Sequence, residues 1–153
     1  MAESDDERWQ RNFAELLQEL RVAQTGVQIL FAFLLILAFS AGFDRSDRFA
    51  QVVYLVALLS TAGATALIIA PVAVHRMLFR LGEKPQVVVY AHRMAYAGLM
   101  LVIVAMVSSV LLAADVVIDR PAAIVVGAAT GAGFVLLWVV LPLLRRMRAT
   151  NGH

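Results

Sequence analysis

Four stretches of this chain carry no charged residue, and each is long enough to cross a lipid bilayer. They are Val22–Phe43 (22 residues), Val52–Val74 (23), Met94–Ala114 (21) and Pro121–Leu144 (24). A helix needs about 20 apolar residues to cross a hydrocarbon core about 30 Å thick. Lipid cannot hydrogen-bond an exposed backbone, so a spanning segment must be a helix or part of a closed barrel. The runs show no period-two alternation, so they read as helices. The predicted fold class is an all-α membrane protein of four transmembrane helices.

Composition excludes the soluble alternatives. The 153 residues are 61% hydrophobic and only 16% charged, against about 45–50% and about 25% in ordinary soluble domains. Such a chain cannot cover itself with polar surface. There is no cysteine, which removes disulfides, thiolate nucleophiles and cysteine-based metal sites. The basic residues are arginines except for Lys84, and they gather at the ends of the apolar runs. That distribution reads as topology signals rather than a nucleic-acid surface.

Short connections separate the runs: 44–51, 75–93 and 115–120. Short links make neighbouring helices antiparallel, so an up-down-up-down bundle is expected. Arg8, Arg11, Arg21, Arg76, Arg80, Lys84, Arg93, Arg145, Arg146 and Arg148 fall on one side of such a bundle, and Arg45, Arg48 and Arg120 on the other. The side richer in Lys and Arg is cytoplasmic. Both termini are therefore expected in the cytoplasm. Phe43, Phe49 and Tyr54 would mark the outer boundary, and Tyr90, Tyr96 and Trp138 the inner one.

Residues 1–21 form their own segment. Ser4 and Glu7 suit a capping box. Trp9, Phe13, Leu16, Leu17 and Leu20 then recur on one helical face, opposite Glu7, Arg11, Glu15 and Glu19. This predicts an amphipathic cytoplasmic helix that lies on the membrane and bends between Arg21 and Gly26 into the first span. Six acids against three bases argue against a cleaved signal peptide. They also weaken binding to anionic lipid, so docking onto protein competes with anchoring. Residues 22–144 make the transmembrane domain and 145–153 a basic cytoplasmic tail.

Within the spans, Arg21, Gln24, Thr25 and Gln28 share one side of a helix. Buried amides need partners, so the stripe is expected to face the bundle, either as interhelical glue or as a polar vestibule. Small residues suggest close helix contacts: Ala62, Ala66 and Ala70; Ala105, Ser109 and Ala113; and Ala123, Gly127 and Gly131, the last two a GxxxG pair. Pro71 and Pro142 should kink the cytoplasmic ends of their helices. His75 and His92 with Glu83 lack the tight spacing of a metal site. Asp115, Asp119 and Arg120 read as a solvated outer turn. No phosphate-binding glycine loop, zinc-protease motif or nucleophile elbow occurs. No catalytic residue, cofactor or metal is expected. The partners expected are lipid and either a second copy or another membrane protein. A small oligomeric transporter or channel is the rival reading.

The segments Glu15–Phe31, Ala70–Arg76 and Phe79-Arg80 resemble an actinobacterial family of small four-helix integral membrane proteins of unknown function. The resemblance implies a bacterial inner-membrane protein of four helices and carries no catalytic or ligand residues with it.

Overall fold

The computed structural model describes residues 5–43, 46–78 and 84–150, with side chains at 11, 15, 17–43, 46–73, 90 and 92–148. Among the described residues the protein is all-α. Helix α1 is Asp5–Ala38, α2 Arg48–Leu78, α3 Lys84–Val117 and α4 Arg120–Val135. A π-helical turn, Leu136–Val140, joins α4 to α5, Leu141–Thr150. Four stretches are long and apolar enough to cross a membrane: Leu17–Ala38, Arg48–Ala73, His92–Val117 and Arg120–Arg148.

The amphipathic segment and the first span form one unbroken helix of 34 residues. No helix boundary falls between Arg21 and Gly26. At 1.5 Å per residue this helix is about 51 Å long, well beyond a hydrocarbon core of about 30 Å. The reason is local: helix formers run through Leu16–Arg21, and a single glycine costs only about 1 kcal/mol. The first span also ends at Ala38, five residues before Phe43. There the chain turns, with Phe43 N–H donating to Ser40 O at 3.0 Å. Ser4, Trp9, Phe13 and Leu16 lie outside the described side chains, as do His75 and Glu83.

Both intrahelical prolines are accommodated. Pro71 lies inside α2 and is fully buried. Pro142 follows the π-helical turn. A proline ring collides with the carbonyl four residues back, here that of Trp138, and offers no N–H. The turn just before it widens, so that Leu141 N–H donates to Leu136 O, five residues back. The basic tail is helical through Thr150.

The buried positions repeat every three or four residues. On α2 they include Ala50, Tyr54, Ala57, Thr61, Ala64, Ile68 and Pro71, in steps of 4, 3, 4, 3, 4 and 3, with Val53 buried beside Tyr54. On α1, Val27 and Leu34 are buried, and Leu20, Gln24, Phe31 and Ala38 half-buried. On α3 the buried set includes Gly98, Val102, Ala105, Ser108 and Leu112. A mean step of 3.5 is that of knobs-into-holes packing. The small face expected on the second span is not the one this chain buries: Ala62 and Ala66 are exposed and Ala70 half-buried. Steps of four residues drift around the helix, whereas the 3.5-residue seam stays on one line. Ala113, at the end of another four-step series, is exposed for the same reason.

The chain forms two compact units. One comprises Met1–Ala38 and Ser60–Val102, the other Phe39–Leu59 and Ile103–His153. In the first, α3 approaches α2 closely at glycine. A Cβ on Gly98 would lie 3.0 Å from Ile68 Cγ1, 3.3 Å from Leu67 Cβ and 3.5 Å from Ala64 O. In the second, a Cβ on Gly127 would lie 3.2 Å from Leu111 Cβ, and one on Gly131 3.4 Å from Val107 Cγ2.

Elsewhere the spans present hydrocarbon outward: Phe33, Ile36, Leu59, Val125 and Leu137 are each at least 60% exposed. Their hydroxyls bond within their own helices. Thr65, Ser109 and Thr130 donate to Thr61 O, Ala105 O and Val126 O at 2.9, 2.7 and 2.8 Å. This is how short polar side chains satisfy themselves where water is absent.

Candidate functional site

Two polar features stand out on helices otherwise built of hydrocarbon. The first is a clamp in the second unit. Asp47 precedes α2 and caps it, its Oδ1 accepting from Ala50 N–H at 3.0 Å, the usual device for an unpaired N-terminal donor. Its second oxygen, Oδ2, accepts from Arg120 Nη1 at 2.6 Å. Arg120 opens α4, with Pro121 beside it in the first turn, where proline costs no hydrogen bond. The guanidinium also holds Asp115 with both arms, Nε to Oδ1 at 3.0 Å and Nη2 to Oδ2 at 3.1 Å. It stacks 4.3 Å above the Phe49 ring. Phe43 and Tyr54 pack nearby along the chain, with ring centroids 4.6 Å apart.

The electrostatics follow from this geometry. The Asp115 side chain is 9% exposed and that of Asp47 51%, so Asp115 depends more on its partner. Arg120 beside it, and then the Ala50 N–H, hold the Asp47 carboxyl below the usual carboxylate range. Three of the five guanidinium N–H groups are thus committed to carboxylates. The clamp ties the segment before α2 to the turn before α4. The turn at 115–120 is therefore more than a solvated connection. Asp119 does stay exposed, and its side chain makes no cap bond.

The second feature is the stripe on α1, where the structure departs from expectation. Arg21, Thr25 and Gln28 are exposed, and only Gln24 is half-buried. The stripe lies mostly off the line that α1 buries. The inward seam runs through Val27 and Leu34, and Gln28 follows Val27 by one residue, about 100° further around the helix. Apolar burial decides which line turns inward, and Gln24 alone of the stripe falls on it. Thr25 satisfies itself, Oγ1 donating to Arg21 O at 3.0 Å. Gln24 and Gln28 make no hydrogen bond among the described residues.

The predicted packing positions lie differently. Ala123 and Gly127 are buried and Gly131 half-buried, Gly127 lying against Leu111 and Gly131 against Val107 of α3. Gly63 and Gly98 make close approaches that no motif announced; Gly98 shares a seven-residue spacing with Ala105 and Leu112. The pairing of Asp47 with Arg120 was also missed, although the expected alternation of spans would put both loops on one side. His92, Arg93, Tyr96, Ala97 and Met100 line an open, largely apolar groove of about 500 Å³ along α3. No group of three or more potential metal ligands occurs among the described residues.

The stripe, the clamp and the glycine contacts all fall within one family match. The model of a family of unknown function, DUF6328, covers residues 2–142. The chain belongs to the DUF6328 family. The match stops at Pro142, so the four-helix part of this DUF6328 protein is covered and the basic end of α5 is not. No curated protein and no solved structure matches it.

Proposed function

We propose that this DUF6328 protein is a non-enzymatic, multi-pass protein of the bacterial inner membrane, acting as a structural or accessory partner through lateral association of its spans. Both termini lie in the cytoplasm and the helices run up-down-up-down. The Lys and Arg distribution supports the orientation. Contact positions that fall along α3 as they rise along α4, Leu111 to Gly127 and Val107 to Gly131, support the alternating direction. One observation carries the associative role. α1 leaves Gln28 exposed within a candidate membrane span, and polar groups inside a membrane require protein partners.

Co-expression of two differently tagged copies tests this. After extraction in mild detergent, one tag brings down the other copy or a fixed set of membrane proteins. Recovery of the tagged chain alone, both from detergent and from membranes cross-linked beforehand, contradicts it.

The outward stripe also favours a second reading, a small oligomeric channel or transporter. Copies arranged around these side chains would line a shared polar path. Ion or solute flux through reconstituted liposomes above that of empty ones selects this reading.

A further inference from the structure

We infer that Gln28 is the centre of a two-fold contact between α1 and α1 of a second copy. This rests on the associative reading above and specifies its surface. The span containing Gln28 is Leu17–Ala38. Eleven residues separate Gln28 from Leu17 and ten from Ala38, about 15–17 Å to either end at 1.5 Å per residue. Gln28 is therefore mid-span, as far from water as this helix reaches. It is exposed, and among the described residues its amide has no partner.

Hydrocarbon offers an amide nothing, and unpaired polar groups there are strongly disfavoured. A second copy answers this without any additional sequence. A primary amide is both donor and acceptor. Two copies related by an axis along the membrane normal bring identical residues face to face. Each Gln28 then donates Nε2–H to the other's Oε1.

The surroundings allow the approach. Thr25, Ala32 and Leu35 flank Gln28 in steps of 3, 4 and 3, and all are exposed. Ala32 is small. Thr25 presents its methyl group, its hydroxyl being held by Arg21 O. This is a heptad line with one polar pair in it, and such a pair fixes register. Arg21 lies four residues inside the span end, about 6 Å. Its long stem carries the charge to the interface, away from its counterpart.

The absence of cysteine makes the test clean. Single variants Thr25→Cys, Gln28→Cys and Ala32→Cys are oxidised with copper phenanthroline in native membranes. Phe33→Cys is the control: it is 67% exposed and about 140° around the helix from Gln28. The three stripe positions yield covalent dimers of this chain at several times the yield at 33. Separately, Gln28→Leu weakens association of labelled copies by about 3- to 30-fold, and Gln28→Asn, which keeps an amide, weakens it less. Dimer yields at 25, 28 and 32 no greater than at 33 overturn the inference, as does a link from position 28 to a different protein. If tagged copies still co-purify in that case, association stands and only this contact is wrong. If they do not, both fail.

Discussion

Leucine at position 98 destabilises the fold by about 3 kcal/mol, at the upper end of the cost of overpacking a tight contact. Even the first carbon of a side chain there would meet Ile68 Cγ1 at 3.0 Å, Leu67 Cβ at 3.3 Å and Ala64 O at 3.5 Å. Two of these three atoms are fixed to the α2 backbone and cannot swing aside. A leucine therefore forces α2 and α3 apart. Gly127→Leu acts the same way in the other unit, where Leu111 Cβ stands 3.2 Å away. Two controls separate packing from helix propensity. A Cβ on Gly133 meets nothing within 4 Å, and one on Gly63 meets only the end of Leu101, at 2.8 Å, which can rotate. Gly133→Ala should gain up to about 1 kcal/mol of helix propensity, and Gly63→Ala should be nearly neutral. Denaturant titration in detergent, followed by circular dichroism, reads all four. Parent-like stability of Gly98→Leu would show that the two helices do not pack there.

Arg120→Ala lowers the unfolding temperature more than Asp47→Asn does. It removes both ion pairs and the Phe49 contact together, and it leaves Asp115 covered without its cation. Arg120→Lys restores only part of the loss, because an ammonium cannot grip a carboxylate with two parallel donors. The clamp also sets a pH dependence. The Asp47 carboxyl is held below the usual carboxylate range, so its contribution is complete above its unfolded pKa, about 4. It is lost as pH falls through the lower folded value. The gap between the parent and Asp47→Asn should therefore be constant at neutral pH and close below about pH 4. A gap that widens on acidification would mean the carboxylate is not paired in the folded protein.

The spans were legible because they depend on two quantities that a sequence displays directly, length and absence of charge. The second span, expected over 52–74, lies within α2 at 48–78, because the helix continues past the uncharged run on which the expectation rests. Which face turns inward was not legible. In an alanine-rich helix, Ala62, Ala66 and Ala70 suggest one face and Ala57, Thr61, Ala64 and Ile68 another. Composition does not separate them; contact with α3 does. The direction of the polar stripe was not legible for a related reason: a requirement for a partner does not say which chain supplies it. Gln28 satisfies the heptad spacing one residue away from the line that α1 buries. The clamp was half legible: Asp115 and Arg120 are near in sequence, whereas Asp47 lies 73 residues from Arg120. The proposed alternating direction of the helices would put those two loops at the same end of the spans.

That alternating direction is the claim on which the account depends, and cysteine labelling in intact cells tests it most directly. Glu15→Cys, Gly42→Cys, Ile118→Cys and Met147→Cys are made singly in the cysteine-free chain. All four positions are exposed and lie near the ends of the spans. A membrane-impermeant maleimide should label positions 42 and 118 from outside the cell, and positions 15 and 147 only after the inner membrane is opened. Labelling of 15 or 147 in intact cells, or protection of 42 and 118, would contradict a four-span protein with both termini in the cytoplasm.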